Sequence, residues 1–232
     1  VEKRPTLSAR HAWDRLENWC RKSHPLLLDT LKPGATAREI ETVELAIGQP
    51  LPPDLRESFA IHNGAKKFLF GYNLLTTHEL LDQWQIWRDV TGFNEELREG
   101  AESFPPLAIA LDYTNASWVP LTQDGGGNHL GVDLCPGPTG AVGQVINFGR
   151  DESHKCVLAS GWAEFLADYA TLLESGAVSV IDPDPSEWFD CCRAVFGRHC
   201  HDGLCQWRRE GRWPPQNQPE QSVAGDRGPQ PS

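Results

Sequence analysis

Trp118-Val119-Pro120-Leu121-Thr122-Gln123-Asp124-Gly125-Gly126-Gly127-Asn128-His129-Leu130-Gly131-Val132-Asp133-Leu134 is the stretch on which the fold turns. Its first four residues read as extended chain, and Pro120 suits an edge strand because it has no amide to donate to a second neighbour. Asp124 to Asn128 is turn chemistry, since glycine reaches the positive-φ conformations that a tight reversal needs. His129–Leu134 then reads as the returning strand. Pro136-Gly137-Pro138 turns the chain again, Gln144–Phe148 supplies a third strand and Lys155–Leu158 a fourth. Short strands joined by close turns predict an antiparallel meander.

Upstream, the apolar period lengthens to that of helices. Ser8 is placed to cap a helix in which Trp13, Leu16 and Cys20 share one face. Thr36-Ala37-Arg38-Glu39 is a capping box, in which hydroxyl and carboxylate each satisfy an orphan amide. The helix it opens turns Ile40, Val43 and Ile47 inward, and Gly48 is its stop. Pro52-Pro53 starts a short helix carrying Leu55 and Phe59, closed by Asn63-Gly64. Phe68–Tyr72 reads as one strand running on to Leu74-Leu75, and Thr77 is expected to cap a fourth helix bearing Leu80, Leu81, Trp84 and Trp87.

Beyond the meander, Trp162, Phe165, Leu166, Tyr169, Leu172 and Leu173 line one face of a closing helix that ends at Gly176. Trp118 on its strand and Trp162 on this helix are expected to be core partners. The predicted fold class is α+β: a short, mostly antiparallel sheet of four to six strands packed with helices. One domain is expected over residues 1–180, with a boundary at Asp182-Pro183-Asp184-Pro185. A Cys/His-rich extension follows over 181–213, with a short helix around Trp188–Phe196. Residues 214–232, rich in Pro, Gln and Gly, lack the apolar content for a core and are expected to be a disordered tail.

The net charge of −11 narrows the function classes. Residues 191–232 carry +2 and leave −13 on the rest, a balance that repels nucleic-acid backbones and anionic membranes and attracts basic proteins. No run approaches the about 18 apolar residues of a membrane span. The basic start lacks the apolar core of a secretion signal, so none is expected. Seven cysteines, an odd number with Cys20, Cys135 and Cys156 scattered through the body, argue for a reducing compartment over a disulfide framework. A cytoplasmic location is expected.

Catalytic signals are sparse. His62, His78, His129 and His154 each lack a reactive neighbour in sequence, and neither a nucleophile elbow nor a phosphate-binding loop occurs. No enzymatic activity is expected. Asp124, Asn128 and Asp133 offer oxygen ligands to a hard cation, but at the spacing of no defined loop. Cys191, Cys192, His199, Cys200, His201 and Cys205 are the set a zinc ion would use. They lack the C-x₂-C pairs that aim thiolates at one metal, and the expectation is no metal and no cofactor: buried thiols beside exposed imidazoles. Asp151-Glu152 sits in a turn and reads either as a solvated face or as part of an acidic surface for a basic partner. Glu95, Glu96, Glu99 and Glu102, with Asp124 and Asp133 from the hairpin region, are the carboxylates expected to face a basic partner.

The order of motifs resembles the SUKH superfamily. Gly48-Gln49-Pro50-Leu51-Pro52-Pro53-Asp54-Leu55 followed by Phe59-Ala60-Ile61-His62-Asn63-Gly64 carries the likeness. So do Trp118–Leu121, the Asp124–Asn128 turn, Gly131–Pro138, Gly143–Ile146 and the closing helix that Leu158-Ala159-Ser160-Gly161-Trp162 begins. The likeness spans about residues 8–176 and departs at Cys135, where the usual form has a second acidic residue. It implies a non-enzymatic protein-binding domain. The immunity proteins of that superfamily imply neutralisation of a basic, nuclease-type toxin by direct binding. Its Smi/Knr-type members imply instead a regulatory or scaffold module of cell-wall assembly.

Overall fold

The computed structural model describes residues 8–178 and 199–215. Helix α1 (Ala9–Ser23) starts where the Ser8 hydroxyl accepts the Arg10 amide. A single turn, α2 (Pro25–Leu28), leads to α3 (Ala37–Ile47), which opens with the Thr36/Glu39 capping box and closes on Gly48 at φ 77°. Helix α4 (Pro53–Ile61) follows, with proline in its first turn.

The stretch expected to be one strand is a hairpin, β1 (Ala65–Leu69) and β2 (Tyr72–Leu74), reversed through Phe70-Gly71. Both turn residues have positive φ (50° and 83°), as a two-residue hairpin requires. Phe70 accepts that conformation because its ring is buried against Tyr169, centroid to centroid 4.6 Å. Helix α5 (Thr77–Asp89) is capped by Thr76, one residue before the expected Thr77, and Glu79 completes the box.

A 3₁₀ turn (Thr91–Phe93) and the short α6 (Asn94–Leu97) precede β3 (Glu102–Phe104). The meander follows: β4 (Trp118–Pro120), β5 (Thr122–Gln123), β6 (Asn128–Asp133), β7 (Gln144–Gly149) and β8 (His154–Ala159). Helix α7 (Trp162–Glu174) closes it, and α8 (Cys200–Arg209) returns to the sheet. The fold is α+β. Its larger sheet runs β3-β8-β7-β6-β4, antiparallel except where β3 lies parallel to β8, and β1-β2-β5 forms a second, antiparallel sheet. The proline strand β4 sits at an edge, as its missing amide demands.

Strand register assigns the two faces of the larger sheet. Gly131 pairs with Ile146, His129 with Phe148 and Trp118 with Asp133, so these side chains share one face with Val157, the partner of Ile146. Val119, Leu130, Val132, Val145, Cys156 and Leu158 share the other, which joins α1, α4 and α7 in the main core. Trp118 belongs instead to a smaller cluster with Ala108, Ile109, Ile146 and Phe148. Trp118 and Trp162 are therefore not partners: the sheet lies between them.

Trp162 finds its polar partner elsewhere. Its indole and that of Trp13 both donate to the Ser58 hydroxyl, at 3.0 and 2.9 Å, so one buried oxygen links α1, α4 and α7. On the opposite face Trp87 donates to His129 Nε2 at 2.7 Å while His129 Nδ1 lies 2.6 Å from the Thr122 carbonyl. That pairing requires the neutral imidazole, with Nδ1 donating and Nε2 accepting.

Two outcomes follow. Ser58→Ala leaves two buried indole N–H groups without an acceptor, and should lower unfolding free energy by about 2–4 kcal/mol in a urea titration; a loss under about 0.5 kcal/mol would contradict the shared-acceptor role. Burial pulls His129 down from its ordinary 6.5 to about 4. The unfolded chain then binds more protons between those values, so this residue's contribution is complete above pH 6.5 and is lost as pH falls toward 4. His129→Gln should flatten the pH dependence of melting temperature in that window, and an unchanged slope would show His129 to be uninvolved.

Candidate functional site

The glycines between β5 and β6 allow a tight reversal, with Gly125 at φ 84° and Gly127 at φ 98°. Asp124 folds back over the loop: Oδ1 accepts from the amides of Gly126 (2.7 Å) and Asn128 (3.0 Å), and Oδ2 from the Asn128 side chain (2.8 Å). Asn128 also donates to Asp151 Oδ2 at 3.2 Å and accepts from the Asp151 amide at 3.0 Å. The hairpin is thereby fixed to the β7–β8 turn. In that turn Glu152 points inward, 5% exposed, and accepts from Asn147 Nδ2 at 2.6 Å.

The start of α8 lands on these two carboxylates. His199 Nε2 lies 3.2 Å from Asp124 Oδ2 and 3.1 Å from the Tyr72 hydroxyl, and its Nδ1 lies 3.5 Å from Glu152 Oε1. His201, fully buried, brings Nδ1 to 2.7 Å from the same Glu152 oxygen. That contact is short but not aligned as a hydrogen bond, and neither ring nitrogen of His201 completes one. A buried polar group left so costs about 1–3 kcal/mol.

Both acids are ionised at neutral pH. Burial opposes the charge on Asp124, but hydrogen bonds from His199, Asn128 and Gly126 outweigh it and hold the carboxyl well below its ordinary range. Burial likewise opposes ionisation of Glu152, and the neighbouring His201, Asn147 and His199 reverse the balance. Two imidazoles and two carboxylates thus converge beneath one hairpin, a donor set suited to a divalent transition metal.

Of the residues singled out for zinc that the structure describes, His199 and His201 come together with Glu152. Cys200 is buried on α8, and Cys205 Sγ donates to Asn147 Oδ1 at 3.3 Å. Its hydrogen bond with Cys156, with burial, pushes the Cys205 thiol far above its ordinary value. Cys191, Cys192, the Trp188–Phe196 segment, the Asp182–Pro185 boundary and all but the first two residues of the 214–232 tail lie outside the described residues. Glu152 and Tyr72 were missed in sequence. Nothing in Asp151-Glu152 marks which of the two turns inward.

The oxygen set Asp124, Asn128, Asp133 does not meet. Asn128 and Asp133 are opposite ends of β6, about 17 Å apart at strand rise. Asp133 is also no partner-facing residue. It is fully buried, accepts from the Cys135 amide (3.0 Å) and Gln144 Nε2 (3.1 Å), and burial lifts its carboxyl to about 6. The Asp124 side chain, 10% exposed, is likewise spent inside the hairpin. Glu102 on β3 pairs with Arg209 of α8 (3.3 Å) and His154 (3.6 Å). Glu95, Glu96 and Glu99 are exposed on and just after α6, beside the exposed Phe93 and Leu97.

A model of the SMI1/KNR4 family (SUKH-1) matches residues 34–168. The chain belongs to that family. It is 35% identical over 202 residues to the "Cell wall biosynthesis/cell cycle regulator smi1" of Schizosaccharomyces pombe, covering 80% of this chain and 39% of that one. The "Glucan synthesis regulatory protein" of Neurospora crassa is 33% identical over 214 residues (76% and 40%). The "Cell wall assembly regulator SMI1" of Saccharomyces cerevisiae is 30% identical over 216 residues (77% and 43%). The chain spans about two fifths of the length of these curated relatives. Their names are regulatory ones, and they favour the cell-wall reading over toxin neutralisation. Among the described residues no helix is long and apolar enough to cross a membrane.

Asp124 and Glu152 fall within the span matched by the SMI1/KNR4 family, whereas His199 and His201 arrive from beyond it. The segment that brings them is anchored. Arg208 donates to the Val157 carbonyl (3.0 Å), and fully buried Trp213 donates to the Leu158 carbonyl (2.6 Å) with its ring against Phe165. Trp213→Ala should cost about 3–5 kcal/mol in chemical unfolding. A cost below 1 kcal/mol would mean that residues 199–213 merely lie on the surface.

Proposed function

We propose that this chain is a non-enzymatic protein-binding module of a cell-wall assembly regulator, and that it recruits a basic, amphipathic partner. The observation that carries the reading is the surface after α5. Phe93 and Leu97 are exposed there, and Glu95, Glu96 and Glu99 stand among them. Exposed apolar side chains in the company of carboxylates mark interaction sites, the apolar groups supplying affinity and the charges orientation and rate. The printed names of the relatives supply the biological setting. The net charge of −11 fits a basic partner and disfavours direct contact with nucleic acid. Toxin neutralisation draws no support from those names and is not carried further.

The test uses a chimera in which this chain replaces the homologous segment of the Saccharomyces cerevisiae regulator. The unaltered chimera should restore wall assembly in cells lacking that regulator. The Glu95→Lys/Glu96→Lys/Glu99→Lys and Phe93→Ala/Leu97→Ala chimeras should not, although both melt within about 2 °C of the parent because all five side chains are exposed. Full rescue by both variants would remove this surface from the function, and failure of the unaltered chimera would count against the regulatory role itself.

A further inference from the structure

We propose that Glu152, His199 and His201 bind a zinc ion, with Asp124 as the positioning residue behind His199. One ligand atom from each of the three lies within 4.8 Å of the others. A tetrahedral zinc with bonds of about 2.0–2.1 Å holds its ligand atoms roughly 3.3 Å apart. The separations found here, 2.7 Å from Glu152 Oε1 to His201 Nδ1 and 3.5 Å to His199 Nδ1, bracket that value.

Two further observations point to a ligand. His201 is fully buried with neither ring nitrogen in a completed hydrogen bond, in a fold that otherwise pairs its buried imidazole His129 on both sides. A neutral imidazole needs a donor or an electrophile at its bare nitrogen, and a metal ion is one. His199 presents Nδ1 to Glu152 while its Nε2 faces the Asp124 carboxylate at 3.2 Å. A carboxylate on the far nitrogen of a histidine is the outer arrangement that fixes tautomer and ring direction at zinc sites. The two carboxylates bring negative charge that a divalent ion offsets. The His199 side chain keeps 32% of its surface exposed, which gives the ion a way in.

The site joins two parts of the chain distant in sequence, the hairpin and β7–β8 turn on one side and the start of α8 on the other. A bound ion therefore favours the docked position of α8, because affinity for that state alone adds to its stability.

The purified chain is stripped with a chelator and titrated with zinc, and in parallel with cobalt, whose visible d–d absorption reports tetrahedral coordination. One zinc per chain is expected, with melting temperature raised by about 5 °C or more at a free zinc concentration 100 times Kd. His199→Ala, at a partly exposed position, should keep the fold and weaken zinc at least 100-fold; Glu152→Gln should do the same. Asp124→Asn should weaken it 10- to 100-fold and shift the cobalt spectrum, a readout that loss of hairpin stability alone would not move. Fewer than 0.1 zinc per chain at saturation overturns the proposal. So does undiminished affinity in His199→Ala, which would place the ion on the cysteines; that variant alone suffices if Glu152→Gln does not fold.

Discussion

The Ser58 hydroxyl is the joint on which the helical layer depends. Trp13 and Trp162 are large enough to fill the space between α1, α4 and α7, but each brings an indole N–H into a region without water. One oxygen with two lone pairs accepts both. Size alone would let the two rings slide; the shared acceptor fixes where each edge must point. Around that point Arg15 ties α1 to α7 through Glu174, Thr171 and the Ala167 carbonyl. The helices so fixed cover one face of the larger sheet. Trp118, Phe148 and their neighbours fill the other.

Much of this was legible in the sequence, and what failed did so for physical reasons. Caps, glycine stops and the strands β4, β6, β7 and β8 are local codes: a threonine hydroxyl on an amide three residues on, or a glycine at positive φ, is decided within a few residues. The Phe70-Gly71 reversal was not legible because phenylalanine is a poor residue for a left-handed turn. It tolerates the position only through packing on Tyr169, a contact from a hundred residues away. Strand β3 was missed because three residues, Glu102 to Phe104, carry no period, and its parallel partner β8 lies fifty residues on. The placement of Trp118 turned on strand register, which no single stretch reveals: one residue's shift moves a side chain to the opposite face.

The buried polar cluster shows the same division. His199 and His201 attract notice as zinc-capable residues, and the Asp124 turn as turn chemistry, but nothing local unites them. Glu152 is their common neighbour, and it was read as a surface residue because acidic residues in turns generally are. Its burial follows from the arrival of α8, which the main chain carbonyls of Val157 and Leu158 receive through Arg208 and Trp213. Of the cysteines in the sequence pattern, Cys200 and Cys205 are buried on α8, where Cys205 donates to Asn147 beside the buried Cys156 of β8.

The ends of the larger sheet have a consequence for how the molecule behaves in a crowded solution. Both rim strands, β3 and β4, are three residues long, and one contains Pro120 where a neighbouring chain would need an amide. The other rim carries Glu102, held by Arg209, and Arg208 and Trp213 occupy carbonyls of β8 beyond the reach of β3. Neither margin offers the long row of open donors and acceptors that templates strand-by-strand growth. The protein can therefore expose apolar side chains such as Phe93 and Leu97 for recognition without offering its sheet for polymerisation.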